Sequence, residues 1–260
     1  FKNSGCMVHD IGDGVLCVEF KTKMNTIGGE ILEGINKAID IAEEEGWKGI
    51  VLGNNAPNFS AGANLAIVLM QAIEQEWDEL NFAVRHFQNT VMRLRYSSIP
   101  VVAAPHGLTL GGGCEISMHT DGCISAAETY IGLVEVGVGV IPGGGGSKEF
   151  ALRLSDSFSS EDTWIPKLSE RFTNIATAKV STSAYEAYGH GYLTEKDEVC
   201  VNTARNLGEA KKKVLALADN YSQPVIRKDI DVLGRTGLGA LYAASHSLKL
   251  GKYASAHDIK

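Results

Sequence analysis

Cysteine pairs, basic patches and long apolar runs are all missing from this 260-residue chain. Its five cysteines, Cys6, Cys17, Cys114, Cys123 and Cys200, are scattered, odd in number and free of any C-x-x-C pair. That pattern argues against a disulfide framework and predicts a reduced, cytoplasmic protein. No apolar stretch approaches the roughly 20 residues of a membrane span, and the opening Phe1-Lys-Asn-Ser-Gly-Cys-Met7 lacks a signal-peptide layout. No membrane partner is expected. The net charge of −7 comes from interspersed carboxylates, and the one dense basic run, Lys211-Lys212-Lys213, reads as a solvated helical face, so no nucleic-acid partner is expected either.

Several catalytic patterns are absent too. The seven histidines form no H-E-x-x-H or similar pair, so no metal site is predicted. Ser60 and Ser147 lack a G-x-S-x-G setting, which excludes the usual serine nucleophile. The order Gly146-Ser147-Lys148 fails the P-loop pattern, and no glycine cluster fits G-x-G-x-x-G. No repeat of fixed period and no low-complexity segment is present.

What is present alternates strand with helix. Gly14–Phe20 has a β-rich pattern, and Ile27–Glu45 repeats apolar residues at helical spacing up to Gly46. Lys48–Gly53 and Val101–Ala104 follow as strands, with a helix over Trp77–Tyr96 between them; Gly122–Ala126 and Tyr130–Val134 are two further strands. Ser155–Asp162 reads as a loop. Past Val140 the patterns are helical, near Leu168–Ala178, Ala184–Tyr188, Val201–Asn220 and Gly239–Leu250. The expected organisation is an α/β domain over residues 1–178 and a helical region over 179–260.

Two glycine clusters stand out, Gly111-Gly112-Gly113 and Gly143-Gly144-Gly145-Gly146. Glycine permits positive φ and close approach of a ligand to the main chain, and the unpaired N–H groups of a helix start attract negative charge. The first cluster is therefore a candidate donor to a developing oxyanion. A second donor is expected from Asn58–Leu65, where Asn64 is placed to cap the next helix. Each cluster taken alone reads more readily as an ordinary strand-to-helix turn. Glu115 lies one turn into the first helix among core residue types, and Glu135 is the one ionisable group in Gly132–Val140. Two carboxylates can hold one water, one as base and the other as acid, when their environments separate their pKa values. His106 adjoins the first cluster and is a candidate to line the pocket.

These pieces resemble the crotonase (enoyl-CoA hydratase/isomerase) superfamily. The resemblance runs through Lys23-Met-Asn-Thr-Ile27, Phe59-Ser-Ala-Gly-Ala-Asn-Leu65, His106-Gly-Leu-Thr-Leu-Gly-Gly-Gly-Cys-Glu115 with Asp121, Gly132-Leu-Val-Glu135 and Gly139-Val-Ile-Pro-Gly-Gly-Gly-Gly146. It implies an α/β spiral of ββα units with a C-terminal helical region. It implies an oxyanion hole from the N–H groups of Ala61 and Gly112, with Met24, Gly62, Ala63, Asn64 and Gly143 contacting substrate. It also implies hydration of a trans-2-enoyl-CoA by Glu115 and Glu135, with coenzyme A as part of the substrate and no tightly bound cofactor. A Δ3-Δ2-enoyl-CoA isomerase and a non-catalytic acyl-CoA-binding module are the alternatives, and Lys211–Lys213 is then also a candidate contact for CoA phosphates. Asn64 departs from the family's usual Asp. The long Ser155–Ser183 stretch resembles the hydratase domain of fused 3-hydroxyacyl-CoA dehydrogenases. The absent initiator Met fits a chain cut from such a fusion, in place of the family's homotrimer or hexamer.

Overall fold

The computed structural model describes residues 1–159 and 161–260. Cys6–Asp10 (β1) and Val15–Phe20 (β2) pair antiparallel across Gly12-Asp13-Gly14, whose φ angles of 85°, 57° and 81° make glycine the natural choice at both ends of the turn. Gly29–Glu45 (α1) buries Ile31, Leu32, Ile35, Ala38, Ile39 and Ala42 and stops at Gly46, φ 74°. Gly49–Leu52 (β3) is wholly buried. Leu65–Ile73 (α2) and Trp77–Arg95 (α3) follow, then Val101–Ala103 (β4), Gly107–Leu110 (β5), Gly112–Met118 (α4), Gly122–Ala126 (β6) and Thr129–Gly132 (β7).

A six-stranded sheet runs β1-β2-β3-β4-β6-β8, parallel from β2 onward, where β8 is Glu198–Cys200. Its two faces bury different sets, as strand alternation requires. Ile50 and Leu52 join the α1 side with Ile31, Ile35 and Ile39, while Val51, Val102 and Ile124 pack against Ala210 and Val214 of Asn206–Ala218 (α8). β5 and β7 form a second, two-stranded parallel sheet, which carries the first glycine cluster away from the main sheet.

The remaining helices are Gly146–Ser157 (α5), Trp164–Ala176 (α6), Ala184–His190 (α7) and Gly234–Leu250 (α9). The division at Ala178 falls between α6 and α7, yet β8 extends the main sheet and α8 covers one face of it, so the region past 178 is not a separate helical layer. The expectation of no strand beyond Val140 is corrected by β8, whose three residues are too few to establish an alternating pattern. The loop expected over Ser155–Asp162 begins later, because α5 runs to Ser157; Ser160 lies outside the described residues. Lys211–Lys213 is not a solvated face. Lys211 bonds the Ile11 carbonyl and Asp13, both at 2.7 Å, Lys213 pairs with Glu198 at 2.5 Å, and Lys212 alone is well exposed, beside Glu209. Beyond α9, His257 Nε2 lies 2.8 Å from the Gly139 carbonyl oxygen. No helix among the described residues is long and apolar enough to cross a membrane.

Candidate active site

β5 is followed by Gly111 (φ 50°), whose N–H donates to the Gly132 carbonyl of β7 at 2.8 Å. The chain then turns into α4, all seven residues of which are buried. Gly112 is its first residue, where a helix N–H has no intrahelical acceptor. Close approach explains the glycines. A Cβ on Gly112 would stand 3.0 Å from the Phe87 ring, and one on Gly113 would stand 2.8 Å from Ser60 Cβ.

The facing wall is Ser60–Asn64. A Cβ on Gly62 (φ 93°) would lie 3.0 Å from the Leu110 carbonyl oxygen and 3.6 Å from the Gly112 nitrogen, so this wall and the α4 turn are in contact. Most of its N–H groups are committed. Ala61 donates to the Met24 carbonyl at 3.1 Å, Gly62 to Ser60 Oγ at 3.1 Å and Asn64 to the Ile27 carbonyl at 3.2 Å. The Ala63 N–H has no acceptor among the described residues. The expected role of Ala61 as an open donor is therefore corrected: its N–H is already committed, and the free one sits two residues on. Asn64 occupies the N-cap position of α2, but its side chain makes no capping bond; at ψ 89° the backbone departs from the extended geometry typical of a cap.

Glu115, 3% exposed, points into the second glycine cluster, where Oε1 accepts the Gly146 N–H at 2.8 Å. Burial pushes its pKa up to about 7 despite main-chain N–H donation from Gly146, Gly144 and Gly145. Glu135 begins a short 3-10 turn, and its carboxyl reaches Gly111, where a Cβ would stand 3.3 Å from Oε1. Both of its carboxyl oxygens are buried without a hydrogen-bond partner among the described residues. Burial, and then the neighbouring Glu115 charge, push its pKa up to about 8 against the weaker pull of the nearby Glu135 and Val134 N–H groups, which stand too far off or too poorly aligned to count as hydrogen bonds. The two carboxyls thus share one environment and differ in what they are bonded to.

Residues 10–165 match the model of the enoyl-CoA hydratase/isomerase family. The chain belongs to that family. Among curated relatives, it is 42% identical over 259 residues to a Bacillus subtilis protein named for 3-hydroxyacyl-CoA dehydrogenase activity, covering 100% of this chain and 32% of that one. It is 30% identical over 210 residues to a Rickettsia felis protein named as a trifunctional enzyme of a fatty acid oxidation complex, covering 79% of this chain and 28% of that one. The chain therefore spans about a third or less of the relatives it matches. Among solved structures, it resembles an enoyl-CoA hydratase from Bacillus anthracis (TM-score 0.67, 22% identity, 98% of this chain and 86% of that one). It also resembles one from Polaromonas sp. JS666 (TM-score 0.66, 17% identity, 95% and 97%). These likenesses carry the fold, the α/β crotonase spiral.

Other residues of this family member take supporting places. Met24 (φ 56°) gives its carbonyl to Ala61, and the residue is exposed. The Gly143 carbonyl accepts from Gln88 Nε2 at 2.7 Å, a bond to α3 that no sequence pattern announced. His106 bonds two main-chain carbonyls, Ala56 at 2.8 Å and Ala104 at 3.1 Å, and so braces the loop before the Ser60 wall. Ser60 Oγ donates to the Asn25 carbonyl at 2.8 Å. All five cysteines are free and buried, and among the described residues no three His, Cys, Asp or Glu side chains gather as metal ligands.

Proposed function

We propose that this chain adds water across the double bond of a trans-2-enoyl-CoA, with the N–H groups of Ala63 and Gly112 holding the thioester oxygen. The observation that carries the reading is the pair of buried carboxyls in unlike settings: Glu115 Oε1 accepts the Gly146 N–H at 2.8 Å, whereas neither carboxyl oxygen of Glu135 has a partner within hydrogen-bond distance and angle among the described residues. At neutral pH the first is the more readily ionised and the second the more readily protonated. Glu115 takes a proton from water as its oxygen attacks C3. The electron pair moves onto the thioester oxygen, where each preorganised donor stabilises the enolate by about 3 kcal/mol. Glu135 then delivers its proton to C2, and a proton returned from Glu115 to Glu135 closes the cycle.

The expected product is a 3-hydroxyacyl-CoA, the substrate of the activity for which the Bacillus relative is named. That supports a place for this chain in fatty-acid β-oxidation as one part of a longer, cytoplasmic dehydrogenase protein. No separate cofactor enters these steps, and coenzyme A arrives with the substrate. The unpartnered oxygens of Glu135 also favour a second reading, Δ3-Δ2-enoyl-CoA isomerisation, in which this one carboxyl, as the carboxylate, takes a proton from C2 and delivers it to C4.

Loss of the conjugated thioester absorbance on mixing with crotonyl-CoA or a longer 2-enoyl-CoA tests the proposal. Hydration abolished by both Glu115→Gln and Glu135→Gln supports it. A 3-enoyl-CoA isomerised by the Glu115→Gln variant supports the second reading. Acyl-CoA binding with no turnover of either substrate refutes both and leaves a binding module.

A further inference from the structure

A cluster of buried ionisable groups adjoins the Glu115 site, and the steps above use none of them. Glu149, in the first turn of α5, is 1% exposed, and cations from two helices surround its carboxylate. Arg95 comes from the end of α3, Arg153 Nε lies 3.4 Å away, and Lys148 Nζ 2.8 Å. Burial opposes its ionisation, but the Arg95, Arg153 and Lys148 cations hold its pKa well below the usual carboxylate range. Arg95 and Arg153 each also donate to the Met118 carbonyl at 2.9 Å, at the end of the helix that carries Glu115.

His119 links this cluster to the site. It is fully buried, and burial pushes its pKa down to about 3, so the ring is neutral. Nδ1 lies 2.6 Å from the Glu115 carbonyl oxygen, which can only accept, so Nδ1 carries the proton. Nε2 is left to accept from Lys148 Nζ at 2.9 Å, and Lys148 donates to Glu149 as well. The same ring lies against Gly145 (φ 121°), where a Cβ would stand 2.8 Å from Cε1. Gly145 precedes the Gly146 N–H that holds the Glu115 carboxylate. Glu115 is therefore gripped at its main chain by His119 and at its carboxylate by Gly146, and both grips lean on one imidazole.

We propose that His119, oriented by Lys148 and Glu149, is a positioning residue for Glu115, keeping its carboxylate on the Gly144–Gly146 N–H groups and so setting how readily it accepts a proton. The catalytic consequence rests on the hydratase reading. If the grip loosens, Glu115 keeps its burial but loses donors, and its affinity for a proton rises. The charged and titratable groups facing this unit are Arg95 from α3, Lys148, Glu149 and Arg153 from α5, Glu135 from the 3-10 turn and Cys114 from α4 itself.

The test is a 13C titration of the Glu115 carboxyl in a Glu135→Gln background, where one site carboxyl remains, with His119→Leu and His119→Asn compared. Rates for the same His119 variants are taken with Glu135 intact. Leu should raise the Glu115 midpoint by about one pH unit and lower kcat about tenfold at neutral pH, with KM within about twofold. Asn places an amide N–H where Nδ1–H was and should recover most of both. A folded Leu variant with an unmoved midpoint, or an Asn variant no better than Leu, overturns the proposal. If His119→Leu does not fold, Lys148→Met decides in its place: an upward shift supports the proposal and an unmoved midpoint overturns it. If the unaltered chain hydrates no 2-enoyl-CoA, the hydratase reading fails, and the titration still decides the role of His119.

Discussion

Glu115 Oε1 accepts the Gly146 N–H at 2.8 Å, so the carboxylate hangs from the turn that opens α5. The turn leaves no room for a side chain at Gly144, where a Cβ would overlap both Glu115 Oε2 and the Phe87 ring. Gly144→Ala is expected to displace the carboxylate and to lower kcat about 10²-fold or more. Steady-state rates beside a thermal melt check this; a folded variant with an unchanged rate would show that Glu115 is not needed where it sits.

The opposed tasks of the two carboxyls fix a pH profile. Hydration needs Glu115 ionised and Glu135 protonated, so kcat/KM should fall below pH about 7 and above pH about 8, with the limbs belonging to the pair. A flat rate from pH 6 to 9 would contradict the assignment of base and acid.

Glu135 also makes stability depend on pH. Its carboxyl rises from an ordinary 4.5 to about 8 on folding, so the folded chain binds the proton more tightly. The stabilisation is complete below 4.5 and is lost as pH climbs through 8. Glu135→Gln has no proton to lose, so its melting temperature should gain on that of the unaltered chain between about pH 5 and about pH 9. A constant difference across that range would show that Glu135 is not buried as described.

The two N–H groups of the Ser60–Asn64 wall can be told apart chemically. Exchanging the Gly62–Ala63 amide for an ester removes the Ala63 N–H, weakens the Gly62 carbonyl that accepts from Ile27, and should lower kcat by about 10²–10³. The same exchange at Ala61 breaks the bond to Met24 and should mainly lower the melting point. The reverse ranking in a semisynthetic protein would return the oxyanion role to Ala61.

Much of this was legible in the sequence where local pattern and burial agree. The α1 stripe and the buried strands β3 and β6 are found where the pattern placed them. β5 was hidden, since Gly107-Leu-Thr-Leu110 reads equally as the start of a glycine motif. Ala61 was misread because the acceptors that commit the Ala61 and Asn64 N–H groups, the Met24 and Ile27 carbonyls, lie far off in sequence. The Glu149 cluster was invisible for a similar reason: Arg95 and Glu149 lie 54 positions apart and look like ordinary charges until α3 and α5 meet.

The β5–β7 ladder described above has a kinetic implication. Gly111 is bonded into it, and Glu135 follows three residues after its end, so the Gly112 donor and the Glu135 carboxyl ride on one stiff body. Ala63 hangs instead from isolated bridges, next to a helix in which no residue is buried. Amide protons should exchange slowly on the first side and quickly on the second. A bulkier acyl group would then be admitted by movement of the Ala63 wall, leaving the distance between proton donor and enolate carbon undisturbed.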